Sequence, residues 1–386
     1  MKTRLEELDS LRGIAAISVI LAHISIILPA SNIFEKINYT PLHIFWLGHE
    51  SVILFFVLSG FVLSLPFFKK SQLGYKDYLI RRICRILIPS VVSVILALSL
   101  MKIISPAGIP GLSRWFNDIW TEPLFMQSIV NHFFVLGEFN TMRLNPVIWS
   151  LIHELRISIL FPFLMLLVLK TGWKKNLALV LSIPLLYFLS YYVCLKVFSY
   201  DLTIFRGGYS SYSLTPHYMA FFLLGALLAR YKDHIRIIYN KLNLLLRSIL
   251  FVFGFVSYLY VWLILPNNNM LHIFIMNDWM IALGCVVFIV FGLNSRVMSR
   301  ILLFKPIHFV GKISYSIYLY HMIVILTLTY ALNHVVPIEI SLTISFVVTF
   351  VVATLMYYLV ELPAIKLGKR LTKKNEAKQP HLQAEF

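Results

Sequence analysis

An arginine and a histidine eleven positions apart, Arg12 and His23, stand in the stretch ELDSLRGIAAISVILAHISIIL. At about 100° per residue this spacing is three turns plus roughly 20°, so a helix presents both side chains on one face, about 16 Å apart along its axis. An ionisable group deep in an apolar helix is costly unless it has a partner or a wet cavity, which makes His23 a candidate functional residue, with Arg12 on the same face. A neutral imidazole there can take a proton from a hydroxyl or carry a group covalently.

Other polar residues recur at comparable depth. His49 and Glu50 open a second apolar run that contains a small Ser59-Gly60 step. Glu50 is either an orienting acid or half of an interfacial pair, and Gly60 admits either a thin ligand or a neighbouring backbone. Arg82 and Arg85, at i and i+3 on one helix face, can clamp a phosphate, although an ordinary basic flank has the same composition. WSLIHELRISILFP carries Trp149, His153, Glu154 and Arg156, where Glu154 either orients a reacting group or forms an ion pair with Arg156 or Arg143. In SYSIYLYH, Ser314, Tyr318 and His321 share a face suited to a polar groove or to an interhelical contact.

These groups need apolar elements to position them, and the composition supplies little else. Of the 386 residues, 59% are hydrophobic and 13% charged, with mean hydropathy +0.81. Soluble domains hold about a quarter charged residues, so the chain reads as a polytopic membrane protein. The net charge of +17 resides in short loops between apolar segments, where membrane topology accounts for it without nucleic acid. Cys84, Cys194 and Cys285 form neither a disulfide framework nor a metal spacing, so no metal is expected. Three acids before the first apolar run, and a histidine within it, argue against a cleaved signal.

Apolar runs of about 20 residues, enough to cross a core of about 30 Å, fall near 12–30, 48–66, 80–103, 147–169, 176–198, 215–231, 245–265, 274–293, 311–333 and 338–361. The expected fold is all-α: a transmembrane helical bundle of about ten spans. Lysine and arginine cluster in alternate loops, which puts both termini in the cytosol and the long stretch 104–146 outside. Within it, 123–136 is short for a span and reads as a re-entrant or interfacial element. The loop 199–214, with RGGYSSYS, suits a polar ligand or a flexible turn. Residues 1–370 form one membrane domain, followed by a disordered cytosolic tail over 371–386.

No phosphate loop, dinucleotide glycine fingerprint or G-x-S-x-G elbow occurs, and His153-Glu154 lacks the second histidine of a zincin because position 157 is Ile157. Taken together, ELDSLRGIAAISVILAH, LFFVLSGF, RRICRILIP, WSLIHE, SYSIYLYH and VELP are similar to the acyltransferase 3 family of bacterial integral membrane proteins, which O-acylate sugars and polysaccharides. The similarity covers nearly the whole chain. It implies functional roles for Arg12 and His23 and ties Arg82 and Arg85 to an acyl-coenzyme A donor. Many members carry an acid where this chain has Ile53, which leaves Glu50, one turn earlier, as the substitute.

The implied reaction moves an acyl group, acetyl by default, from cytosolic acyl-coenzyme A to a hydroxyl of a cell-surface or lipid-linked saccharide at the bacterial inner membrane. The acceptor would be an exopolysaccharide, lipopolysaccharide or lipid-linked glycan. In this reading His23 is the base, with Glu154 or Glu50 orienting it. Arg12, Arg82 and Arg85 hold the donor's phosphates, and Ser59 and Gly60 flank its thin arm. His49, Trp149, His153, Ser314, Tyr318 and His321 face the acceptor. The competing reading is a proton-coupled transporter of a small polar solute or lipid-linked sugar; it calls for paired broken helices or inverted repeats, and neither stands out.

Overall fold

In the computed structural model, which describes residues 5–28, 37–68, 74–198, 208–263 and 277–376, all secondary structure among the described residues is helical. The elements are α1 (Glu6–Ile27), α2 (Gly48–Ser64), α3 (Tyr75–Ile104), α4 (Arg114–Thr121), α5 (Met126–Phe134), α6 (Ile148–Lys170), α7 (Trp173–Phe198), α8 (Leu214–Arg230), α9 (Lys232–Lys241), α10 (Leu244–Tyr258), α11 (Tyr260–Leu263), α12 (Asp278–Asn294), α13 (Arg296–Leu302), α14 (Lys305–Lys312), α15 (Ser314–Ala331), α16 (Ile338–Met356) and α17 (Leu362–Glu376). A π-helical turn, Tyr357–Glu361, joins the last two.

Five helical segments among the described residues are long and apolar enough to cross a membrane, or up to seven if each of two bent pairs counts as one span. The sequence pattern gives about ten. Helices α8 and α10 have 17 and 15 residues and rise about 26 and 22 Å, at or below the lower end of the lengths that cross a core of about 30 Å. The pairs α12–α13 and α14–α15 bend by 93° and 73°. At the first bend Ser295 leaves the helical conformation, and its hydroxyl accepts from the Met298 amide, which starts a new helix in another direction. Stretch 104–146 holds two short helices, α4 and α5, rather than a span.

The helices approach closely where glycine permits. A Cβ on Gly60 would run into the Phe222 carbonyl, and one on Gly225 would meet Val57 and Phe61, so α2 and α8 touch backbone to backbone. Gly13 and Gly311 play the same part between α1 and α14. Around these contacts Phe61, Phe161, Phe221, Phe222 and Tyr320 are wholly buried. Helix α17 continues past position 371, where the sequence suggested disorder, to Glu376. Its Thr372 hydroxyl accepts from Arg81 Nε at 2.7 Å, which docks the helix on α3. Residues 377–386 of the expected tail, and 199–207 of the Gly-Ser-Tyr loop, lie outside the described residues.

Candidate functional site

A cavity of about 450 Å³ opens among α1, α2, α3, α6, the α14–α15 bend and the π-helical turn, and its wall contains Arg12, Ser59, Arg82, Arg85, Glu154, Ser314 and Tyr318. Seven of the residues singled out by sequence therefore meet in one space. Helix α1 is unbroken from Glu6 to Ile27, so the spacing of Arg12 and His23 holds as helix geometry dictates.

The cavity wall carries five cationic side chains, Arg12, Arg82, Arg85, Lys312 and Lys369, against three carboxylates, Asp9, Glu154 and Glu361. The carboxylates are already engaged. Glu154 accepts from Arg82 Nη2 at 2.7 Å, Asp9 lies 3.7 Å from Arg12, and Glu361 accepts from the Ser316 hydroxyl at 2.6 Å. Arg82 is held from a second side: Ser158 Oγ gives its proton to the Glu154 carbonyl at 2.6 Å and accepts from Arg82 Nε and Nη2 at 3.1 and 3.0 Å. Arg85 has no anionic partner among the described residues. The cavity thus offers unmatched positive charge on a fixed frame, the electrostatic requirement for a polyphosphate.

Glu154 consequently does not orient His23. It holds Arg82 in place, as charged partners in low dielectric must when they are brought together. Nor is it paired with Arg156 or Arg143. Arg156 donates to the carbonyls of Leu136, Gly137 and Ser210 at 2.8–2.9 Å and lies over the Tyr212 ring, while Arg143 pairs with Glu122.

His23 lies beyond the wall of the cavity. The connection runs through α15: Tyr318 lines the cavity, its ring is 6.0 Å from that of His321, and His321 meets His23. The hydrogen bonds assign the tautomers. His321 Nδ1 is 3.1 Å from the Ile317 carbonyl and must carry hydrogen to bond it, so its Nε2 is an acceptor. His23 Nδ1–H then donates to the Val19 carbonyl at 2.9 Å and to His321 Nε2 at 3.1 Å. This leaves His23 Nε2 with its lone pair and no partner among the described residues, as a base requires. Trp115 of α4 stacks on the His23 ring at 5.6 Å and 18°.

The remaining sequence candidates do other work. Glu50 is buried and accepts from Trp262 Nε1 at 2.9 Å, so it belongs to another cluster and does not substitute for an acid beside His23. Gly60 faces α8, where its Cα lies against the Phe222 backbone, and it is not in the wall of the arginine cavity. His49 Nε2–H donates to Asp278 Oδ1 at 2.7 Å, and the wholly buried His217 donates to Oδ2 at 2.8 Å. His153 is wholly buried with both nitrogens engaged, Nδ1 by Thr215 Oγ1 at 2.9 Å and Nε2 by the Tyr209 carbonyl at 2.7 Å, which leaves nothing for an acceptor. Trp149 packs among Phe56, His153, Tyr209 and Tyr218. His321 bonds His23 and is not in the cavity wall, and Tyr318 shares a 2.7 Å hydrogen bond with Ser150.

Sequence reasoning missed Trp115, Asp278, His217 and Ser158. Only Ser158 had a local signal, because it sits at i+4 from Glu154 on the same helix face.

Within the apolar helical bundle stand a cationic recess with Tyr318 in its wall and, beyond that wall, an imidazole pair with one free ring nitrogen. The chain belongs to the acyltransferase 3 family: the family model, described as an acyltransferase domain, matches residues 5–360. It is similar to O-acetyltransferase OatA of Staphylococcus aureus, with 24% identity over 382 residues, covering 94% of this chain and 57% of the relative. Similar too are peptidoglycan O-acetyltransferase OatA of Listeria monocytogenes, 26% identical over 94% of this chain and 56% of the relative, and putative peptidoglycan O-acetyltransferase YrhL of Bacillus subtilis, 25% identical over 94% and 55%. The chain spans about half the length of these curated relatives. No solved structure matches it.

Proposed function

We propose that the protein is an O-acetyltransferase of the bacterial inner membrane that moves an acetyl group from cytosolic acetyl-coenzyme A to a hydroxyl of a cell-envelope glycan, with peptidoglycan or its lipid-linked precursor as the first acceptor to test. The observation that carries this reading is the pairing of surplus cationic charge in the cavity with an imidazole whose tautomer leaves Nε2 free. The relatives' O-acetyltransferase names support it, and the cation-rich loops support cytosolic termini, with the arginine end of the bundle facing the cytosol.

Arg12, Arg82 and Arg85 hold the donor's phosphates, and Lys312 and Lys369 add charge at the rim. His23 Nε2 accepts the proton of the attacking hydroxyl as its oxygen bonds to the thioester carbonyl. The carbon–sulfur bond breaks, and the same nitrogen returns the proton to the departing thiolate. His321 Nε2 keeps hydrogen on His23 Nδ1 throughout, so the ring presents Nε2 to the hydroxyl in every cycle. A positioned base of this kind is worth about 10²–10⁴ in rate. Purified protein incubated with labelled acetyl-coenzyme A and membrane glycan should transfer label, and His23→Ala should lose at least about 10²-fold in kcat while remaining in the membrane. Undiminished transfer by that variant would overturn the mechanism.

A further inference from the structure

A second cavity, of about 320 Å³, lies at the opposite end of the bundle from the arginines, between the 109–112 loop, the end of α15 and the start of α16. It is within the lower range of small-ligand sites, about 300–1,000 Å³. Thr329 in its wall is 1% exposed, and its hydroxyl has no hydrogen-bond partner among the described residues. Burying a hydroxyl unpaired costs on the order of 1–3 kcal/mol, so Thr329 is poised for a ligand that supplies the missing bond. Asn333, Glu339 and Ser341 add further polar groups to the wall, and among the described residues no cationic side chain lines it. Leucine, isoleucine, valine and proline make up most of the rest.

Neutral donors and acceptors, one carboxylate and apolar walls suit a neutral polyol ring with C–H faces. They disfavour a phosphate. The placement is equally informative. Leu28 of the wall follows His23 by five residues, roughly 8 Å along α1, and Thr329 follows His321 by eight, roughly 12 Å along α15. Two helices thus carry the imidazole pair and, one to two turns further out, the cavity. The loop at its side turns through Gly111, where φ is +88°, and bonds back to α1 from Ser113 N to the Ile27 carbonyl at 2.9 Å. Two residues later Trp115 covers His23. Occupancy of the cavity and access to the imidazole therefore involve the same short segment, 109–115.

We infer that this outer cavity is the subsite that seats one saccharide ring of the acceptor, with the Thr329 hydroxyl and the Glu339 carboxylate bonding its hydroxyls. The inference rests on the proposed function for its link to acyl transfer, but it is a binding claim and is tested as one. Tritiated chitopentaose and maltopentaose are equilibrated with the purified full chain in nanodiscs, without any acyl donor. The wild type should retain at least one of them. Thr329→Val, which removes only the hydroxyl, should weaken that binding tenfold or more, as should Glu339→Gln, and Val336→Trp at the half-buried rim should abolish it. Binding of desulfo-coenzyme A should stay within twofold in all three variants, which also shows that they are folded. Absence of saccharide binding by the wild type, or binding that all three variants retain, overturns the subsite. Binding lost in the variants while the wild type never transfers acetyl upholds the subsite and overturns the proposed function.

Discussion

Two polar clusters, each centred on charged groups, are built into this apolar bundle, and they differ in what is left over. Around Arg82 the groups surround about 450 Å³ of space, and cationic charge exceeds carboxylate charge. Around Asp278 the groups consume one another: both carboxylate oxygens take an imidazole N–H, and Glu50 nearby accepts from Trp262. A carboxylate with both oxygens engaged ties elements together in low dielectric, here the starts of α2 and α12 to α8. A network with surplus charge and room beside it can bind. Buried ionisable groups in a membrane segment invite a functional reading, but the open space and the unspent donors decide between the two roles.

The largest effect that separates the clusters is on stability. Asp278→Ala leaves the wholly buried His217 N–H without its acceptor, at a cost of about 1–3 kcal/mol, and unties the exposed His49 from α12. We expect the midpoint of thermal unfolding in detergent to fall well below that of the wild type while the KM for the acyl donor stays unchanged. A raised donor KM with an unchanged midpoint would place Asp278 in the binding machinery and erase the contrast.

Arg85→Ala is the converse and smaller change. Arg85 is half-buried on the cavity wall and holds no anion among the described residues, so its removal breaks no ion pair there. The expected result is an increase of about tenfold in donor KM, or about 1.4 kcal/mol, with kcat and unfolding midpoint close to the wild type. Arg85→Lys should recover part of the loss because charge persists without the planar fork. If Arg85→Ala binds desulfo-coenzyme A as tightly as the wild type, the cavity is not the donor's phosphate site.

How much of this was legible in the sequence follows from the range of each interaction. Arg12 and His23 could be placed on one face because they share an unbroken helix, and Arg82 and Arg85 because they lie one turn apart. The partners of these residues come from far along the chain: Arg82 and Glu154 are 72 residues apart, His23 and His321 298, His49 and Asp278 229. No periodicity encodes such pairings. Gly60 shows the same limit, since a small residue in an apolar run admits a ligand or a helix equally, and only the position of Phe222 on α8 decides for the helix. Hydropathy located the apolar runs, but it registers no difference between a helix of 22 residues and one of 17, nor between a straight span and a bent pair.

The smallest effect expected is a pH dependence, and it arises outside the spanning helices, on the outer flank of the Asp278 cluster. His43, in the Pro41–Trp46 turn, stacks on Trp262 at 3.9 Å and 21°, and its Nδ1–H donates to the Asn38 carbonyl at 2.9 Å. Burial holds its imidazole down to about 4, from about 6.5 when free, with the bond to Asn38 opposing the shift. The folded state therefore takes up fewer protons than the unfolded chain between those values. The stack contributes fully above about pH 6.5, and its contribution declines as pH falls from there towards 4. Since Trp262 also donates to Glu50, loosening the stack frees one side of the closed cluster while leaving the arginine cavity untouched. Tryptophan emission measured from pH 8 to 4 should show a transition in that window that is absent from Trp262→Phe and flattened in His43→Gln, while binding of desulfo-coenzyme A at each pH is the same in His43→Gln as in the wild type. If the donor's affinity follows the His43 substitution, the two clusters are coupled, and their separation into a binding cluster and a tying cluster fails.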